Sequence, residues 1–109
     1  MVQTNMVWNQ VPVNLDRLSL LLDAIREPVD LVVLPETFAT GFVTNPDPDV
    51  ADTTETVIRW MKEKAHQLDA MVMGSHPCRS GSLLVNRLLA VKPDGEVLHY
   101  DKRHLFTMG

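Results

Sequence analysis

Apolar residues recur at helical spacing in two stretches of the chain. The first stretch predicts an amphipathic helix over residues 15–27, with apolar positions at Leu15, Leu18, Leu22 and Ile25. Asn14 is the expected N-cap of this helix, and the proline after residue 27 prevents the helix from continuing. The second stretch predicts a helix over residues 53–69, with apolar positions at Val57, Met61, Ala65 and Leu68. Its start resembles a capping box formed by Asp52 and Glu55.

A continuous apolar run between the two helices predicts a strand. Residues 31–34 form this run and half of them are β-branched, which is typical of a strand buried on both faces. Pro35 has no backbone N–H and therefore ends the ladder of hydrogen bonds. Glu36 is thus expected at the carboxyl edge of a central strand, where open α/β sheets gather their catalytic groups.

The second half of the chain adds strands alone. Residues 71–73 predict a short strand, and the apolar runs 83–91 and 97–100 flank a Pro-Asp-Gly turn and predict a hairpin. With a short first strand at Val2-Gln3-Thr4, the order becomes strand, helix, strand, helix, strand, strand, strand. This order predicts an α/β fold with a mixed sheet, and 109 residues suffice for one domain.

Composition and charge exclude several classes of protein. The chain is 45% hydrophobic and 22% charged, which fits a folded chain and not a disordered one. Its net charge is -4 and its basic residues are dispersed, so no nucleic-acid partner is expected. No apolar run approaches the roughly 20 residues that span a bilayer, so no membrane partner is expected. The single cysteine, Cys78, cannot form an internal disulfide, which predicts a reducing compartment, the cytoplasm.

Two segments carry residues that could perform chemistry. Glu36 lies in Leu-Pro-Glu-Thr-Phe at residues 34–38, and Lys102 lies in Tyr-Asp-Lys-Arg-His-Leu-Phe at residues 100–106. Both segments resemble the nitrilase, or carbon-nitrogen hydrolase, superfamily, and residues 30–42 are most similar to its omega-amidase-like branch. Further matching positions are Val2-Gln3-Thr4, Trp8, Asn14-Leu15, Asn86-Arg87 and Pro93-Asp94-Gly95.

This resemblance implies a fold and an activity. The family's fold is a four-layer α-β-β-α sandwich more than twice this length, so residues 1–109 are expected to be its amino-terminal half, a partial domain truncated at the carboxyl end and slightly at the amino end. The implied activity is hydrolysis of non-peptide carbon-nitrogen bonds, an amidase acting on small ω-amido acids through Glu, Lys and Cys. No cofactor is implied, and relatives pair, so a homodimer or higher oligomer is expected.

Amide hydrolysis through a thioester needs a nucleophile, a base and a positive group for the oxyanion. The resemblance assigns the base to Glu36, because a carboxylate desolvated at a strand end accepts a proton more readily, and the oxyanion role to Lys102. Phe38 and Phe42 follow Glu36 and either line the acyl pocket, as in relatives, or pack in the core. The family's nucleophilic cysteine comes after the lysine, beyond Gly109, so the chain of 109 residues is expected to be inactive.

Two alternatives stay open at this point, and a metal site is not one of them. Cys78 follows a strand in a loop with His76 and Arg79 and could be a nucleophile, but the family's order places the cysteine after Lys102. The four histidines lack the spacing of a zinc site, so no metal is expected. The chain could instead be a decayed enzyme or a non-catalytic module that associates through an unfinished sheet.

Overall fold

The computed structural model describes residues 11–35, 37–39, 53–80 and 83–107, with the side chains of residues 79, 80, 83, 84 and 102–107 excepted. The elements are α1 (Val11–Asp23), β1 (Leu31–Val33), α2 (Thr54–Leu68), β2 (Met71–Ser80), β3 (Leu83–Val91) and β4 (Val97–Thr107). The four strands form one sheet in the order β1-β2-β3-β4, with β1 parallel to β2 and the other pairs antiparallel. The predicted α/β fold with a mixed sheet is confirmed. The expected first strand at Val2-Gln3-Thr4 lies outside the described residues.

The first helix begins and ends about four residues earlier than its periodicity predicts. Asn14 is not its N-cap, because it lies inside α1, is buried, and donates a hydrogen bond from Nδ2 to the carbonyl oxygen of Ala39 at 2.7 Å. The carboxyl end is closed by short-range hydrogen bonds from the N–H groups of Ala24 and Ile25 to the carbonyls of Leu21 and Leu22. The apolar stripe therefore extends past the last residue of the α-helix.

The second helix agrees with its prediction to within one residue at each end. Thr53 occupies its N-cap position, and the expected capping residue Asp52 lies outside the described residues. The helix ends at Asp69, which adopts a left-handed conformation and directs its N–H toward the carbonyls of Ala65 and His66.

The strands correct two expectations. Strand β1 is not buried on both faces: Val32 is buried, but Leu31 and Val33 are 51% and 39% exposed, because the described helices cover one face of the sheet. Within the described sheet β1 lies at the edge, and its central position stays a prediction because residues 1–10 lie outside the described part. Strand β2 does not stop at Met73 but continues through the expected loop around Pro77, which pairs in register with Asn86. Long-range pairing with β3 overrides the local loop signal.

The hairpin is confirmed, but its second strand is longer than predicted. Strand β4 continues past Tyr100 to Thr107 and remains paired with β3 as far as Leu83. The charged run Asp101-Lys102-Arg103 conceals this extension in the sequence, because its polar residues interrupt the apolar pattern. The predicted catalytic lysine therefore lies inside a strand and not at the end of one.

The two faces of the sheet differ. Helices α1 and α2 pack on one face and enclose the hydrophobic core, which includes Leu18, Leu22, Val57, Met61, Val72, Leu89 and Val91. On the other face, residues that pair across neighbouring strands project their side chains from the same side of the sheet. One such row contains Val33, Met73, Ala90 and Leu98. Val33 and Leu98 are exposed, as are Leu31 and Tyr100, so this face is apolar and uncovered by the described residues.

Candidate active site

The structure describes the surroundings of both predicted catalytic residues. Glu36 itself lies outside the described residues, but Pro35 before it and residues 37–39 after it are described. Lys102 belongs to strand β4, and its side chain lies outside the described part. The surroundings therefore show how the chain holds each segment.

Thr37 adopts an unusual backbone conformation immediately after Glu36. Its φ angle is 48°, in the left-handed region that β-branched residues rarely enter. Thr37 is buried, and its N–H donates a hydrogen bond to the Ser75 hydroxyl oxygen at 2.8 Å. Ser75 lies on β2, two residues beyond Met73, whose carbonyl accepts a hydrogen bond from the N–H of Leu34. The segment that carries Glu36 is therefore attached to β2 on both sides of that residue.

Phe38 fixes the next position of the same segment. Its side chain is fully buried and stacks on Trp60 of α2, with the ring centroids 5.8 Å apart. It also lies against the backbone of Gly74, where an added Cβ would come within 2.6 Å of the ring. This contact explains why glycine occupies that position. Phe38 thus has the environment of a core residue, and its role in an acyl pocket stays a prediction. Phe42 lies outside the described residues.

Lys102 occupies an irregularity in strand pairing. Arg87 pairs with Asp101, and the preceding residue Asn86 pairs with Arg103, so Lys102 is an extra residue between two paired positions. Such bulges bend a strand and redirect side chains, and they are frequent beside active sites. The Arg87 guanidinium contacts both carboxylate oxygens of Asp101, at 2.6 and 3.2 Å, next to the bulge. This hydrogen bonding raises the pKa of Arg87 above its usual value.

The sheet places the two segments at the same end. Ser75, which holds Thr37, is in register with Leu88 and then with Tyr100, and Lys102 lies two positions beyond Tyr100 along β4. Strands β2 and β4 are two spacings apart, which corresponds to about 10 Å. Strand β3 lies between them, and the side chains of Glu36 and Lys102 lie outside the described part of the chain. Sequence separation alone gave no such relation between Glu36 and Lys102.

Cys78 has the environment of a structural cysteine. It lies within β2 and not in a loop, it is buried, and its sulfur is 3.7 Å from the Thr54 hydroxyl. Burial raises the pKa of the Cys78 thiol above its usual value, although Thr54 and Arg87 act in the opposite direction. Because burial is the largest of these effects, the surroundings give no support for a nucleophile here.

We expect Cys78 to react slowly with iodoacetamide at neutral pH. The pKa of this thiol is higher in the folded protein than in the unfolded chain, so the thiol stays protonated at neutral pH. The stability that this pKa difference contributes is therefore complete below the unfolded-state pKa and is lost as the pH rises through the folded-state pKa. Alkylation followed by mass spectrometry from pH 7 to 10, with a free-thiol peptide as the control, measures this. A rate equal to that of the peptide at pH 7 would contradict the burial argument.

The roles of two residues in this site are absent from the expectations based on sequence. Asn14 and Ser75 each hold the segment after Glu36, but their partners Ala39 and Thr37 lie 25 and 38 residues away along the chain. Local patterns report neighbours within a helix or a strand and carry no signal for such contacts. Among the described residues, no group of three or more His, Cys, Asp or Glu side chains is arranged to hold a metal ion. No helix in the described ranges is long and apolar enough to cross a membrane.

Comparison with known proteins gives consistent results. The carbon-nitrogen hydrolase family model matches residues 1–109. Omega-amidase YafV of Yersinia enterocolitica is 41% identical over 108 residues, and that of Escherichia coli strain K12 is 39% identical over 108 residues. Each alignment covers 99% of this chain but 41% of the relative, so the chain spans about two fifths of the length of these relatives.

Solved structures support the same fold. A CN-hydrolase superfamily protein of Xanthomonas campestris, with an arsenic adduct in its active site, superposes with a TM-score of 0.81 at 35% identity. The match covers 97% of this chain and 40% of that protein. A carbon-nitrogen hydrolase from Helicobacter pylori G27 has a TM-score of 0.72 at 19% identity, over 98% of this chain and 42% of that one, and shows likeness of fold alone. The chain belongs to the carbon-nitrogen hydrolase family and corresponds to the amino-terminal part of its fold.

Proposed function

We propose that these residues supply the base and the oxyanion group of an amidase of the omega-amidase type. Glu36 is the general base and Lys102 the positive group, and a cysteine in a segment beyond Gly109 is the nucleophile. The substrate is a small ω-amido acid. The similarity to omega-amidases at about 40% identity supports this substrate class.

One observation carries the proposal. The segment of Glu36 is tied to β2 at Ser75, and the bulge at Lys102 lies at the same end of the sheet two strands away. Thioester chemistry requires a base for the thiol and a cation for the developing oxyanion beside one substrate. The bulge also supports the assignment, because Lys102, like Leu105 at a second register shift, lies outside the regular pairing of β4.

The proposed reaction forms a thioester and then hydrolyses it. Glu36 takes the proton of the cysteine thiol, and the thiolate attacks the amide carbon while Lys102 faces the oxygen that becomes negative. The intermediate expels the amine, which leaves as ammonia with the proton from Glu36. A water molecule then loses a proton to Glu36 and attacks the thioester. The second tetrahedral intermediate breaks its carbon-sulfur bond and releases the acid, and Glu36 returns its proton to the sulfur and restores the thiol. No cofactor takes part.

The test is an assay of ammonia release from succinamate, the monoamide of a short dicarboxylic acid. A polypeptide of the family's full length that contains these residues is expected to release ammonia, whereas the chain of 109 residues is expected to be inactive. Glutamine-containing peptides are assayed in parallel as the alternative class of substrate. Absence of turnover of any small amide by the longer polypeptide would contradict the proposal.

The proposed setting is a homodimer or higher oligomer in the cytoplasm. The cytoplasmic location rests on the single buried cysteine, which forms no disulfide within the chain. The dispersed basic residues and the net charge of -4 give no support for a nucleic-acid partner.

A second candidate is a non-catalytic module that associates through its sheet. The apolar face with exposed Leu31, Val33, Leu98 and Tyr100, which the described residues leave uncovered, favours it, because such patches mark interaction surfaces or cause aggregation. We expect the chain of 109 residues to elute above its 12.3 kDa mass when light scattering follows gel filtration. The variant Leu98→Lys should shift it toward the monomer. A sharp monomer peak for the unaltered chain would contradict association.

A further inference from the structure

We propose that Ser75 positions the general base by holding the backbone of the residue after it. The Ser75 hydroxyl oxygen accepts the N–H of Thr37 at 2.8 Å, and both residues are buried. This inference rests on the proposed function, in which Glu36 is the base. Ser75 touches no reacting atom in this scheme and is therefore a positioning residue.

The conformation of Thr37 shows why a partner is needed. A φ of 48° is unfavourable for a β-branched side chain, and such conformations persist where the surroundings over-determine them. The bond to Ser75 is one such constraint, since relaxation of φ would turn the Thr37 N–H away from the hydroxyl. The conformation at Thr37 sets the direction in which the chain leaves residue 36. Loss of the bond should therefore displace the base.

Other contacts hold the next two residues of the segment. Asn14 binds the carbonyl of Ala39, and Phe38 is packed between Trp60 and the backbone of Gly74. With residues 38 and 39 held in the core, removal of the Ser75 hydroxyl should release the backbone locally and not unfold the segment. Local release changes the geometry of catalysis more than it changes stability.

The experiment compares Ser75→Ala with a matched control in an active polypeptide of the family's length. Ser19→Ala also removes a serine oxygen that accepts an N–H, that of the Trp60 indole at 2.8 Å, but on α1. A base displaced by about 1 Å can lose 10²-fold in rate, so Ser75→Ala should lower kcat about 10- to 100-fold and leave KM within about threefold. Ser19→Ala should leave kcat unchanged, and Ser75→Thr, which retains the hydroxyl, should restore most of the loss.

A double-mutant cycle with Glu36→Gln separates positioning from a structural role. If Ser75 acts through Glu36, Ser75→Ala should cause no further loss of kcat once Glu36 is replaced. Equal losses in both backgrounds, or a Ser75→Ala variant with the kcat of Ser19→Ala, would overturn the positioning role. An unchanged kcat in Glu36→Gln would instead overturn the proposed function. If Ser75→Ala does not fold, Ser75→Cys, with a weaker acceptor, replaces it and should show an intermediate loss that also disappears in the Glu36→Gln background.

Discussion

Replacing Glu36 by glutamine in an active polypeptide of the family's length is expected to lower kcat by about 10²- to 10⁴-fold, the usual contribution of a general base. Glutamine has nearly the same shape but cannot accept the thiol proton, so the nucleophile would stay protonated. Substrate binding should change little. Steady-state kinetics of ammonia release, with kcat and KM determined separately, give the required measurement.

The matched control for this substitution is Glu63→Gln on the exposed face of α2, which should leave kcat unchanged. The pH dependence adds a second criterion. A base must be deprotonated to act, so kcat/KM should fall at acid pH in the unaltered protein, and this limb should disappear from the residual activity of Glu36→Gln. Turnover that survives the substitution would remove Glu36 from the mechanism.

Sequence periodicity predicted the elements whose stability is local. Helix α2 has a continuous apolar stripe and was located to within one residue at each end, and the Pro-Asp-Gly turn located the connection between β3 and β4. Strand β2 was predicted far too short, because Pro77 resembles a loop residue until its pairing with Asn86 is known. The same holds for β4, whose charged residues are kept in the strand by β3.

The candidate site shows the same division between local and long-range information. Resemblance to a family supplied Glu36 and Lys102, since a glutamate after a strand and a lysine in a charged run carry little signal by themselves. The contacts around these two segments join residues that are far apart in the sequence. Asn14 had the appearance of a helix cap, but its amide binds Ala39, and Ser75 had no assigned role until its bond to Thr37 was seen. The bulge at Lys102 arises from the register of two strands, which no single segment encodes.

Replacing Lys102 by glutamine is expected to lower kcat by about 10²- to 10³-fold, the usual cost of removing one group that stabilises an oxyanion. The effect should fall on kcat more than on KM, because the negative charge develops after the substrate has bound. Lys92→Gln is the matched control: this lysine lies in the turn between β3 and β4 and pairs with Glu96, 2.8 Å away. Its loss should leave kcat unchanged.

Lys102→Arg tests more sharply whether the bulge directs the Lys102 ammonium group at the oxyanion. Arginine keeps the charge but is a planar fork and not a compact point charge, so it cannot occupy the same position near the oxyanion. If the bulge directs one ammonium group at one oxygen, Lys102→Arg should lose most of the activity that Lys102→Gln loses. If Lys102 supplied only a general positive field, arginine would restore nearly full turnover. That result would exclude direct contact with the oxyanion, while full activity in Lys102→Gln would exclude a catalytic role altogether.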